Sequence, residues 1–281
     1  MMMAMRTTKQ AARVLRRDFS ARVGSGGVAG PKITGAVRLY KDVDVAEIKA
    51  DDGATTYAVQ LDGRTVKTPA RTPVRLPNKQ LARIVAHEWD AQEKTIRPAT
   101  MPMMSLASTA LDLGATSTRK ELVDEMMHYL HTDTVCYMVT DDQQEKLAAL
   151  QNKKWKPLRD WFEETFATDG AKVDVSYGTI DGLTHDRQLV DNVRSELEKL
   201  SDYELVAMRC LTKECKSLIT ALALHKRHVT AKEAMDLCRL EEEYQISRWG
   251  LVEGGHDLDR VNCTVNLSSA SLLLWLLRNH A

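Results

Sequence analysis

The apolar residues of this chain change period at Asn78, and that change restricts its folds more than any other feature. Ahead of Asn78 the runs AVRLYKDVDVAEI, TTYAVQLDGRTVKTP and TPVRLP are short and rich in valine and threonine. YAVQL and RTVKT alternate apolar with polar residues, as strands with one buried face do. Asp62-Gly63 stands between them, and a two-residue hairpin turn needs the positive φ that Asp-Gly supplies. Pro69, Pro73 and Pro77 then bar long regular structure. A small twisted sheet over residues 36 to about 76 is expected.

Behind Asn78 the residues Leu81, Ile84, Val85 and Trp89 fall on one helical stripe running to about Gln92, which predicts a helix laid over one face of the sheet. The connector TIRPATMPMMSLASTALDLGATS carries Pro98 and Pro102, and a domain boundary is expected near it. Beyond it, Thr118 with Glu121, Asp142 with Glu145, Ser201 with Glu204 and Thr230 with Glu233 match or approximate the capping box. There a short polar side chain and a carboxylate three residues on satisfy the first free amides of a helix. AKVDVSYG is a β-capable interruption, and SLLLWLL reads equally as strand or helix. The expected fold class is α+β: residues 31–104 form a small N-terminal β-sheet layer with a covering helix, and residues 105–281 a mainly α-helical bundle.

Lys plus Arg and Asp plus Glu each number 39 in the 281 residues, so the formal net charge is zero. No chain-wide field favours nucleic acid or an anionic membrane. The apolar runs TVCYMV and SLLLWLL fall short of the roughly 20 residues that span a bilayer, so no membrane insertion is expected. Cys136, Cys210, Cys215, Cys238 and Cys263 form no CxxC pair and read as reduced core thiols. Residues 1–30 differ from the rest. Arg6, Lys9, Arg13, Arg16, Arg17 and Arg22 face a single acid, Asp18, among Ser and Thr, the composition of a mitochondrial targeting segment and leader.

Catalytic signatures are scarce. GSGGVAG lies in the leader without a following GK[ST], so nucleotide binding has no support, and no GxSxG elbow occurs. His128 and His131 form an HxxH near Asp133, but without an HExxH frame the expectation is ordinary surface histidines and no metal. His225 and His228 form a second HxxH beside Lys226 and Arg227, which reads as solvated positive charge at a helix end.

RLEEEYQISRWG, residues 239–250, places three carboxylates in a row. On one helix from Ala231 to Trp249, at about 100° per residue, Ala234, Leu237, Cys238, Tyr244 and Trp249 gather on one side. Asp236, Arg239, Glu243 and Ser247 gather opposite. Glu243 then reads as solvated charge paired with Arg239, and Glu242 as a flank residue. Glu241 falls within the apolar stripe with Gln245 and Arg248 on its line. A carboxylate there must be paired internally or face a groove that a partner fills.

LDGRTVKTPARTPVRLP, LARIVAHEWDAQ, TIRPATMPM and LEEEYQISRWG, in this order from about Val37 to Gly250, resemble the ATP synthase assembly factor two family. These are mitochondrial chaperones of the alpha subunit of the soluble catalytic head. WKPLRDW and LTKECKSL match less distinctive stretches, and residues 251–281 match only loosely. The resemblance implies a small α/β layer followed by an orthogonal helical bundle, a monomer, in the mitochondrial matrix. It further implies a protein that is not an enzyme, uses no cofactor, shields the free alpha subunit and delivers it to beta. Glu241, Glu242, Gln245, Arg248 and Trp249 become the candidate client-binding residues. Trp89 is a structural or interface residue, with a core place favoured by its stripe. Two other readings compete: a matrix enzyme using Glu241 and Glu242 with a histidine brought in by folding, and a stable adaptor subunit of a larger complex.

Overall fold

The Asp62-Gly63 turn carries φ of 47° and 76°, the paired positive values of a tight hairpin. A computed structural model of the chain describes residues 35–49, 53–168, 170–179 and 181–279; the expected targeting segment lies outside them. Strand β1 (Val43–Lys49) pairs antiparallel with β2 (Thr55–Leu61), Val45 opposite Val59. The two-residue strands β3 (Arg64–Thr65) and β4 (Arg75–Leu76) both pair with β2. Helix α1 (Lys79–Asp90) starts behind Asn78, whose side chain accepts from the Leu81 amide, and buries Leu81, Val85 and Trp89 over β1 and β2. Its last carbonyls are held from the N-terminal side of the sheet. Arg38 donates to the carbonyls of Asp90 and Gln92, and the Tyr40 hydroxyl donates to that of Trp89 at 2.7 Å.

The sheet layer is tied to the helices by two acids, half-buried Glu88 and buried Asp112. Glu88 on α1 accepts from the amides of Met103 and Met104 at 2.8 and 2.7 Å, capping helix α2 (Pro102–Leu111). Asp112 accepts from the Thr68 hydroxyl and the Ala70 amide. The helices that follow are α3 (Arg119–Leu130), α4 (Asp141–Phe166), α5 (Arg187–Glu198), α6 (Asp202–Cys215), α7 (Leu218–His225), α8 (Ala231–Cys238), α9 (Leu240–Trp249) and α10 (His256–Asn279). All eight residues of α7 are buried, as expected of a helix that is apolar all round. Helix α6 packs against α2, α3, α7, α8 and α10. One apolar cluster runs from Val59 in the sheet to Leu276 in α10.

Thr118, Ser201 and Thr230 form complete capping boxes with Glu121, Glu204 and Glu233. The fourth box, expected at Asp142 with Glu145, does not mark a helix start, because the N-cap is Thr140. Helix α4 begins at Asp141 behind Thr140, so Asp142 lies inside the helix, and Gln144 departs from helical geometry at φ −155°. AKVDVSYG supplies only β6 (Ser176–Tyr177), parallel to β5 (Tyr137–Met138). SLLLWLL is helical, the C-terminal part of α10. The continuous helix expected from Ala231 to Trp249 is instead two helices, broken at Arg239 with φ −102° and ψ 8°. Across the break the Trp155 indole donates to the Leu237 carbonyl at 3.1 Å. That bond takes up a carbonyl at the end of α8.

Candidate functional site

The break at Arg239 moves Arg239, Gln245 and Trp249 off the faces expected of one continuous helix. Arg239, placed by the wheel on the solvent face, is 4% exposed. Its Nη1 meets Asp259 Oδ2 at 2.8 Å and its Nε meets Glu243 at 3.3 Å. Nη2 lies 2.8 Å from Glu242 Oε1, a charge contact without hydrogen-bond alignment. Glu243 also receives Arg260 of α10 through both oxygens, at 2.8 and 2.7 Å. The solvated charge expected at Glu243 is therefore the acid of a two-arginine cluster joining α9 to α10. These carboxylates hold the Arg239 guanidinium even more firmly protonated than usual, against its own burial.

Glu241 does lie half-buried on the inner side of α9, and its partner is neither Gln245 nor Arg248. Gln151 of α4, wholly buried, donates Nε2 to Glu241 Oε1 at 2.6 Å and accepts the Val139 amide at 2.9 Å. Burial raises the Glu241 pKa against this hydrogen bond, so the acid is held closer to neutrality than a surface glutamate. No histidine is hydrogen-bonded to it among the described residues. Gln245 is exposed. Trp249, expected on the apolar side, is 74% exposed. With Arg248, Tyr244, Gln144, Glu145 and Lys146 it lines an open groove of about 370 Å³.

Beyond Trp249, past the end of the wheel, further apolar residues are exposed. Leu251 and Val252 are exposed after Gly250 ends α9. Leu258, Val261, Val265, Leu272 and Trp275 then continue exposed along the outer face of α10, while Cys263, Leu267, Ala270 and Leu274 fill the inner one. Residues 261–277 contain no Asp, Glu, Lys or Arg. The signal was present in the sequence as apolar residues on two helical faces, hidden by the undecided reading of SLLLWLL.

Trp89 is 5% exposed and packs edge-on against Tyr40, ring centroids 5.9 Å apart. Of the HxxH pairs, His131 bonds the Leu183 carbonyl and stacks on His185. No group of three or more His, Cys, Asp or Glu able to hold a metal occurs among the described residues. His225 corrects its expectation. It is 5% exposed, and burial together with nearby Arg278 lowers its pKa to about 4. The thiols of Cys136, Cys210, Cys238 and Cys263 all have raised pKa, which leaves little of the nucleophilic thiolate. Among the described residues no helix is long and apolar enough to cross a membrane.

A half-buried acid, a charge cluster and exposed apolar residues thus lie on α9 and α10, and solved structures of the same fold include a putative chaperone. A putative chaperone from Agrobacterium tumefaciens is 30% identical, covers 86% of each chain and superposes with a TM-score of 0.74. Atp12 from Paracoccus denitrificans is 27% identical, with a TM-score of 0.73 over 86% of this chain and 98% of its own. The ATP12 chaperone protein family profile matches residues 37–163. The mitochondrial atp12 protein of Schizosaccharomyces pombe is 30% identical over 221 residues, 76% of each chain. Mitochondrial ATP12 of Saccharomyces cerevisiae is 25% identical over 272 residues. This chain belongs to the ATP12 chaperone family.

Proposed function

We propose that the protein is an assembly chaperone of ATP synthase in the mitochondrial matrix. It binds the free alpha subunit of the catalytic head, keeps it from aggregating and delivers it to beta without catalysing a reaction. Membership of the ATP12 chaperone family supports the class of activity, and the mitochondrial names of the yeast relatives support the compartment. The observation that carries the reading is the row of exposed apolar residues Leu258, Val261, Val265, Leu272 and Trp275 along α10, whose first turns are joined to the acids of α9 through Asp259 and Arg260. An unassembled subunit exposes the apolar surface that its neighbour will cover, and a face of this kind covers it reversibly. Glu242, now held by Arg239, and Glu241, now held by Gln151, offer carboxylates to client Lys or Arg on exchange of those partners, which favours encounter and selectivity more than permanence.

Co-expression with the alpha subunit tests this. The intact chain is expected to keep the alpha subunit soluble, and Glu241→Ala or Glu242→Ala to reduce that effect while the variant retains its helical circular dichroism. An alpha subunit that is equally soluble without the chain would sink the reading.

A further inference from the structure

The corner between α7 and α8 meets the end of α10 around a cleft of about 280 Å³, lined by His225, Arg227, Thr230, Ala231, Trp275 and Arg278 among others. His225 lies at its floor, and neither ring nitrogen has a hydrogen-bond partner among the described residues. The facing acid is Glu204 of α6, whose Oε1 stands 3.9 Å from Nε2, outside hydrogen-bond range. Its other oxygen is engaged in capping Ser201. A buried polar group left unpaired is destabilising, and native folds rarely keep one that nothing satisfies.

The charge around the cleft is positive and poorly matched. Arg227 and Arg278 are near enough to repel each other, which with burial lowers the Arg278 pKa, and Glu204 opposes that shift. Neither arginine has an ion pair within 4.0 Å among the described residues; Lys226 is taken up by Glu196 of α5. Thr230 opens α8 at the rim. Its capping box uses the Glu233 amide and carboxylate, leaving the Ala231 and Lys232 amides at a positive helix end. Arg227 itself sits at φ 61°, the left-handed position after a helix that favours glycine. A long cation stands there at a conformational cost.

We propose that this cleft binds one small oxyanion, a phosphate or a carboxylate, between the Arg227 and Arg278 guanidinium groups and the N-terminus of α8, with His225 donating from the floor. Guanidinium forks match both anions in geometry, and the Trp275 ring walls one side. The anion comes either from free phosphate or from an acidic side chain of a bound protein. The site stands independently of which client the chaperone serves.

The full-length chain is titrated with inorganic phosphate and, separately, with a blocked peptide carrying one glutamate. Ionic strength is held constant with chloride, and calorimetry is read beside the His225 ring signals in NMR. Saturable one-to-one binding with a shift of the His225 nitrogens is expected in at least one arm. A response to phosphate alone identifies the free ion as the source, and a response to the peptide alone a protein carboxylate. Arg278→Gln and Arg227→Gln, both at the surface, should each weaken binding about tenfold or more, whereas Arg187→Gln, far along α5, should not. No saturation by either probe across the millimolar range, or equal affinity in Arg278→Gln, overturns the proposal.

Discussion

His225 shows how one buried side chain can set a pH dependence that its sequence context conceals. Lys226, Arg227 and His228 around it suggest solvated charge, yet the ring points inward from α7, facing Glu204, Arg278, Lys226 and Glu196. Its folded pKa is lowered to about 4 from 6.5, so between those values the unfolded chain holds more protons, and stability falls as pH drops through the window. Full protonation removes about 3 kcal/mol at 1.4 kcal/mol per pKa unit. Half-buried Glu88 and buried Asp133 act in the opposite sense. Glu88 is raised to about 7 and Asp133 to about 6, both by burial, so the fold retains protons that the unfolded chain loses. Their contribution falls as pH rises through about 4 to 7. His225→Leu removes the first trend and leaves the second. Its urea midpoint should decline from pH 4.5 to 6.5 relative to the parent, which should stay flatter. At pH 7 the variant should be as stable or more so, because two unpartnered nitrogens leave the core. Parallel pH profiles for the two proteins would show that His225 is not held neutral.

The elements whose local chemistry was complete were legible in the sequence, and those set by distant partners were not. The Asp62-Gly63 hairpin, the Asn78 start of α1 and three of four capping boxes formed because each needs only neighbours within three or four residues. The break at Arg239 depends on Trp155 of α4 and on Asp259 and Arg260 of α10, none of which a helical wheel contains. That is why Glu241 was placed correctly inward while Trp249, Arg239 and Gln245 were not. The hinge gives a direct test. Arg239 joins Glu242, Glu243 and Asp259 at the junction of α9 and α10, and removing a buried partner strands the remaining charges. Arg239→Met should cost about 3 kcal/mol in denaturant unfolding. Arg239→Lys should recover only part of it, because a single ammonium cannot reach three carboxylates in a fork. A loss below about 0.5 kcal/mol, the level of ordinary surface changes, would show that the cluster is peripheral to the hinge.

At the scale of the molecule, α10 carries apolar residues on two faces, one packed and one exposed. Its inner face closes the bundle against α6, α2 and α8 and reaches α1 beneath the sheet, where Asn78 donates to the Leu276 carbonyl at 3.5 Å. The sheet layer and the helices thereby share one core, and damage to the inner face should spread to both. The outer face carries Leu258, Val261, Val265, Leu272 and Trp275 in solvent, where they add little to folding. Leu273 is fully buried, and Leu273→Ala should cost about 2–5 kcal/mol with loss of signal from sheet and helices in a single transition. Val261→Ser with Val265→Ser should change stability by no more than about 0.5 kcal/mol per site. If the outer face receives the alpha subunit, that double variant should lose client solubilisation at unchanged stability, whereas Leu273→Ala should lose it only in proportion to its unfolded fraction. A double variant that is fully stable and fully active would move the client surface off α10, leaving the groove at Trp249 and the acids of α9 to carry it.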